Sequence, residues 1–98
     1  MMAYQGSDID LTDDIRSLVE PLISYPEDLE ITRMDKPEDL NKKEQTYRIR
    51  CNKEDIGKLI GRHGVISDSL RTIVNVSTKN QRKKVHLRFE PFPEEENN

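Results

Sequence analysis

Tryptophan is missing from this chain, cysteine occurs once, and aromatic residues make up only 5% of it. With Cys51 as the one thiol, no intramolecular disulfide can form. Its period-two neighbours Tyr47 and Ile49 place it on the inner side of a strand as a small buried hydrophobe. That pattern suits a reducing, cytoplasmic setting. A single Cys and two widely spaced His, His63 and His86, make no zinc signature, so no metal or cofactor is expected. No apolar stretch approaches the roughly 20 residues that span a bilayer. Asp8, Asp10, Asp13 and Asp14 sit where a signal peptide would need an apolar run, so no membrane partner is expected either.

What the chain has in quantity is charge, 36% of its residues against 33% hydrophobic, and its 98 residues leave room for one small domain. The net charge of -3 hides a strong asymmetry. Residues 1–40 hold three basic and eleven acidic side chains, residues 41–90 hold thirteen basic and five acidic, and Glu94, Glu95 and Glu96 follow. If those segments form separate faces, a polyanion is repelled by one and attracted by the other. The plain alternative is that both are solvated surfaces.

Apolar periodicity predicts a first helix over 10–24, with Leu11, Ile15, Leu18, Val19 and Leu22 on one face and Asp13 and Asp14 at its positive end. Pro21 inside that pattern removes a backbone bond and bends or shortens the helix. Alternation over 29–33 and 46–51 predicts two strands joined by a polar connection over 35–44, a mobile hairpin loop. Asn52 is placed to cap a helix over 53–60, with Asp55 three residues on in a capping-box variant. A further helix over 65–77 sets Ile66, Leu70, Ile73 and Val74 in one stripe. After a turn at Lys79-Asn80-Gln81, Val85, Leu87 and Phe89 alternate with polar residues in a third strand over 84–90. Residues 1–8 and 91–98 read as a flexible start and a flexible acidic tail around a domain at 9–90.

Between the second and third helices lies Gly61-Arg62-His63-Gly64. Two Gly around two basic residues let a main chain approach another backbone closely, and a phosphodiester is the natural candidate. The spacing is not that of a P-loop, since Arg62 and His63 stand where Lys and Ser or Thr are required, and no GxGxxG occurs. Cys51 with either His fails as a nucleophile and base, because the thiol is expected to be buried and both His to face outward. The residues therefore point to a binding protein and not an enzyme.

The phrase Gly57-Lys58-Leu59-Ile60-Gly61-Arg62-His63-Gly64, the segment Ser24-Tyr25-Pro26-Glu27-Asp28 and Leu70-Arg71-Thr72 together resemble the bacterial single-domain KH proteins of the KhpA family. The resemblance covers about residues 10–90. It implies an α+β, type II KH fold in the order helix, strand, strand, helix, GXXG loop, helix, strand, with a three-stranded sheet packed by three helices. The eukaryotic arrangement needs a further strand and helix, for which residues 91–98 leave no room. By the same resemblance the RNA-binding residues are Lys58, Ile60, Gly61, Arg62, His63, Gly64, Ile66 and Arg71. Gly61 and Gly64 would meet RNA backbone, helped by free N–H groups at the start of the helix at Val65. Ile60, Ile66 and Leu70 would border a groove for bases, though each also fits the core. Arg48, Arg50, Arg82, Lys83 and Lys84 extend the footprint or serve solubility. Asp68 stands where a carboxylate would repel phosphate, and no aromatic lies near the loop, so stacking platforms are not expected.

The implied function is non-catalytic binding of single-stranded RNA, as an RNA chaperone or post-transcriptional regulator linked to cell growth and division. The implied partners are a second KH-containing protein of the KhpB (Jag) kind or another copy of the chain. Two other readings stand beside it: a protein-interaction adaptor using the acidic first helix, and a ribosome-associated assembly factor.

Overall fold

A computed structural model describes residues 10–35, 44–77 and 84–93. The expectations for residues 1–8, for 36–43 of the polar connection, for Lys79-Asn80-Gln81, for Arg82 and Lys83, and for residues 94–98 lie outside the described residues.

Helix α1 spans Thr12–Val19 and opens with the Asp10 carboxylate accepting from the Thr12 N–H and hydroxyl at 2.9 and 2.6 Å. Those two bonds hold the Asp10 carboxyl below the usual range. The expected helix over 10–24 stops early. Pro21 lacks an N–H, so the chain tightens into a 3-10 turn at Glu20–Leu22 and then extends at Ile23. Leu22 is consequently exposed, not on the core face, while Ile23 is buried. A second 3-10 turn, Pro26–Asp28, leads into strand β1, Glu30–Arg33.

Strand β2, Glu44–Cys51, lies at the centre of the sheet. It pairs antiparallel with β1, Ile31 opposite Ile49, and parallel with β3, Lys84–Pro91, with Ile49 beside Phe89. Parallel strands need a crossover, supplied by helices α2, Lys53–Ile60, and α3, Val65–Ser77. Burial alternates along β2, with Gln45, Tyr47, Ile49 and Cys51 inside. All three helices cover that one face: Ile15 and Val19 of α1, Leu59 of α2, and Leu70 and Val74 of α3 close over Tyr47, Ile49, Val85 and Leu87. The structure is α+β with the expected element order.

Two polar devices tie these layers. The buried Tyr47 hydroxyl accepts from the Leu11 N–H at 2.9 Å and donates to Gln45 Oε1 at 3.1 Å, clamping the start of α1 to the middle strand. On the edge strand β3, Asn75 donates to the Val85 carbonyl and accepts from the Val85 N–H, and Arg71 donates to the Leu87 carbonyl. Side chains of α3 thus occupy ladder groups that would otherwise template another strand. One helix expectation needs correction. Ile73 points out of the core stripe and is 48% exposed, with Ser67 in the buried set beside Leu70 and Val74.

Candidate nucleic-acid interface

Asn52 caps α2 as expected, its side chain accepting from the Glu54 N–H at 2.8 Å. Asp55 is not part of a capping box. It is fully buried, and its carboxylate accepts from the N–H groups of Ser24 and Tyr25, both at 2.9 Å, while Lys58 Nζ lies 3.2 Å away. Burial pushes this carboxyl up, but the two N–H bonds and the Lys58 ammonium outweigh it and leave its pKa below the ordinary value. Asp55 precedes Leu59 by four residues and so shares its buried stripe, a signal legible in the sequence. Its consequence for Lys58 is direct: the ammonium is shared with Asp55 and also donates to the Ser24 hydroxyl.

At the end of α2 the backbone of Gly61 adopts φ 75° and ψ 179°, a region essentially restricted to glycine. Arg62–Gly64 form a 3-10 turn in which His63 sits at φ 56° and Gly64 at φ 77°. Every carbonyl accounted for here turns inward. Gly61 O accepts from the Gly64 N–H at 3.2 Å, Arg62 O from the Val65 N–H, and Gly64 O from the Ser67 hydroxyl at 3.1 Å. This narrows the expected role of the helix start at Val65, since the Gly64 and Val65 N–H groups are already used. The N–H groups of Arg62 and His63, the first two residues of the turn, have no carbonyl partner within it. Their side chains are exposed and, among the described residues, have no hydrogen-bond or ion-pair partner. Withdrawn acceptors and the exposed Arg62 leave a loop surface suited to an anion.

The structure brings Ile60, Gly61, Arg62, His63, Gly64 and Ile66 together at the junction of α2 and α3. Ile60 is 36% exposed and Ile66 half-buried against the core, so both present apolar surface beside the loop. Leu70 is buried and belongs to the core. Val65, unremarkable in the sequence, is 55% exposed directly after Gly64 and lines an open hollow of about 470 Å³ with Ser69, Thr72 and Ile73. Arg71 is nearly two helical turns past the loop, its guanidinium bonded to the Leu87 carbonyl, paired with Asp68 at 3.1 Å and lying 5.4 Å from the Phe89 ring centre. Asp68 is therefore a partnered carboxylate, not an isolated one. Arg48 and Arg50 stand on the sheet face turned away from the helices. Another cavity, about 700 Å³, lies at the opposite end of α2, where Glu27, Asp28, Glu30 and Glu54 outnumber Lys53 and disfavour a polyanion.

Among the described residues no group of His, Cys, Asp and Glu is placed to hold a metal ion, and no helix is long and apolar enough to cross a membrane. The Cys51 thiol is buried, which together with nearby Asp55 pushes its pKa up and away from a reactive thiolate.

The family profile for the KH domain of KhpA and KhpB matches residues 12–89. The RNA-binding protein KhpA of Listeria monocytogenes is 41% identical over 73 residues, covering 74% of this chain and 90% of the relative. The protein of the same name from Streptococcus pneumoniae is 38% identical over 73 residues, covering 74% and 85%. That from Bacillus subtilis is 31% identical over 86 residues, covering 88% and 98%. No solved structure matches the chain significantly.

Proposed function

The chain belongs to the KhpA/KhpB KH-domain family, and from that premise we propose that it binds single-stranded RNA, without catalysis, through the loop at Gly61–Gly64. The observation that carries this reading is the loop's polarity: carbonyls engaged inward, with the exposed Arg62 guanidinium and the His63 ring outward. A phosphate settles against that surface, and the two Gly keep side chains out of its way. Ile60, Ile66 and Val65 offer apolar surface to the adjoining bases. Lys58 and Arg71 contribute long-range charge at the edges of the site, reduced by Asp55 and Asp68.

Such a loop holds about four nucleotides, so useful affinity requires a second module at high effective concentration. That module is a KhpB-type KH protein or another copy of this chain, docked on the exposed apolar pair Ile73 and Val76 of α3. The biological role is that of a cytoplasmic RNA chaperone or post-transcriptional regulator linked to growth and division. Pairing of Asp68 with Arg71 removes one minor argument for the adaptor reading, which otherwise rests on the acidic first helix and the net charge of -3.

Titration of a fluorescent single-stranded RNA with wild type and with Arg62→Asp/His63→Asp, at two salt concentrations, tests the proposal. The wild type is expected to bind with a salt slope of about -0.7 per neutralised phosphate, and the double variant to lose most of its affinity while staying folded. Equal binding by both proteins would overturn the loop mechanism.

A further inference from the structure

The face of the sheet turned away from the helices carries Thr46, Arg48 and Arg50 of β2, Glu30 and Thr32 of β1, and His86, Arg88 and Glu90 of β3. Across it the register sets Thr32, Arg48 and Arg88 in one row and Glu30, Arg50 and Glu90 in the next. Arg48 and Arg88 are thus immediate neighbours on adjacent strands, about 4.8 Å apart at the backbone. Like charges set opposite each other destabilise a sheet. Glu90 offsets part of this, lying 3.1 Å from Arg88 and 3.8 Å from Arg50, and Glu44 is taken up by His86 at 2.9 Å. Arg48 has no acidic partner among the described residues. Its Nε, like that of Arg50, is shielded from water with no acceptor.

Arg48 thus holds a guanidinium with no acidic partner among the described residues, directly beside that of Arg88, and an anion from outside the chain would relieve this concentration of positive charge. Guanidinium forks match phosphate oxygens. Arg48 and Arg50 are two residues apart, a step of about 6.6 Å along the strand, comparable to the spacing of successive phosphates in a stretched polynucleotide. We propose that Arg48, Arg50 and Arg88, with the Thr32 hydroxyl beside them, form a second phosphate-binding surface that holds the backbone of an RNA strand on the open face of the sheet. The Gly loop belongs to the helix layer, so the sheet separates it from this surface. One chain then grips two stretches of RNA, either distant parts of one molecule or two molecules, which is a geometry for bringing strands together. The proposal rests on the RNA-binding reading above for the identity of its ligand but not on the loop.

The test uses the full chain as wild type, as the loop variant Arg62→Asp/His63→Asp, as the face variant Arg48→Gln/Arg88→Gln, and with both sets combined. Each is titrated with an RNA of about four nucleotides, which fills only the loop, and with one several times longer. The face variant is expected to keep the short-RNA affinity, to bind the long RNA about tenfold more weakly, and to show a salt slope smaller by about 1.4. The loop variant should retain long-RNA binding that the combined variant loses. In the loop variant, NMR signals of the Arg48 and Arg88 Nε–H groups should shift on adding long RNA, a readout that does not depend on the Gln substitutions folding. Unchanged long-RNA affinity and salt slope in the face variant would overturn this surface while leaving the loop reading intact. Loss of all binding in the loop variant would do the same. Short RNA that never binds, with long RNA lost in the face variant, would remove the loop reading and keep this one. Arginine signals that respond to inorganic pyrophosphate and not to RNA would make the surface a small-anion site and overturn the proposal.

Discussion

A Cβ on Gly61 would stand 2.4 Å from Cγ1 of Ile66 and 3.0 Å from its backbone nitrogen. The start of α3 is folded so tightly onto the end of α2 that Ile66 fills the space a side chain at 61 would need. Gly61 is held to glycine twice over, by this contact and by its φ of 75°. Gly64, at φ 77°, meets only Ser67 Oγ at 3.7 Å, and Gly57 meets nothing within 4 Å.

Three Gly→Ala substitutions should therefore have three outcomes in urea unfolding. Gly61→Ala is expected to cost about 3 kcal/mol, strain plus overpacking. Gly64→Ala should cost about 1–2 kcal/mol from the left-handed conformation alone. Gly57→Ala, in the middle of α2 with open space around it, should stabilise by about 0.5–1 kcal/mol. A reversed order for 61 and 64 would show that the Ile66 contact relaxes freely.

Acid should loosen the anchor between α2 and the chain after α1. The Asp55 pKa is lowered on folding, so its contribution is present above the unfolded value of about 3.9 and disappears as pH falls through the folded value. Asp10 and Asp35 shift in the same direction. The urea midpoint of the wild type is expected to drop between about pH 6 and about pH 3. Asp55→Asn, less stable near neutrality, should show a shallower drop; a parallel pH profile would remove Asp55 from the effect.

Tyr47→Phe should destabilise by about 1–3 kcal/mol without loss of apolar packing, because it strands the buried Leu11 N–H and takes a donor from Gln45. Amide exchange at Leu11 is the local check: it should accelerate more than exchange in α3. Uniform acceleration would mean that the hydroxyl does not clamp α1.

Ile73 is one of the exposed pair proposed to dock a second module, so Ile73→Glu should leave stability within about 0.5 kcal/mol while weakening association. Analytical ultracentrifugation of the 11.5 kDa chain is the measurement, with the variant expected to sediment as monomer and the wild type as a larger species. Identical sedimentation of the two would take α3 out of self-association.

Local chemistry made much of this molecule legible. The span of α2 and the Asn52 cap follow from propensity, capping and periodicity over a few residues, and the Gly loop announces itself by composition. The early end of α1 was half legible: Pro21 signalled it, but only the tight turn at Glu20–Leu22 shows which residue leaves the core. Ile73 was misplaced because a helix stripe wide enough to hold it exceeds the width of sheet that α3 covers. Arg71 reads as a free cation in sequence, and its bond to the Leu87 carbonyl exists only because α3 crosses the edge of β3.

The sequence by itself determined the elements, their order and the one loop able to bring a backbone close to another backbone, since these depend on residues within a turn or two of each other. The tertiary structure decided which charges remain available. It joined Lys58 to Asp55 and Arg71 to Asp68, left Arg62 and His63 without a side-chain partner among the described residues, and set Arg48 beside Arg88 on the far face of the sheet. Ion pairing depends on distance in space, and strand register and helix packing, which set those distances, join residues far apart along the chain.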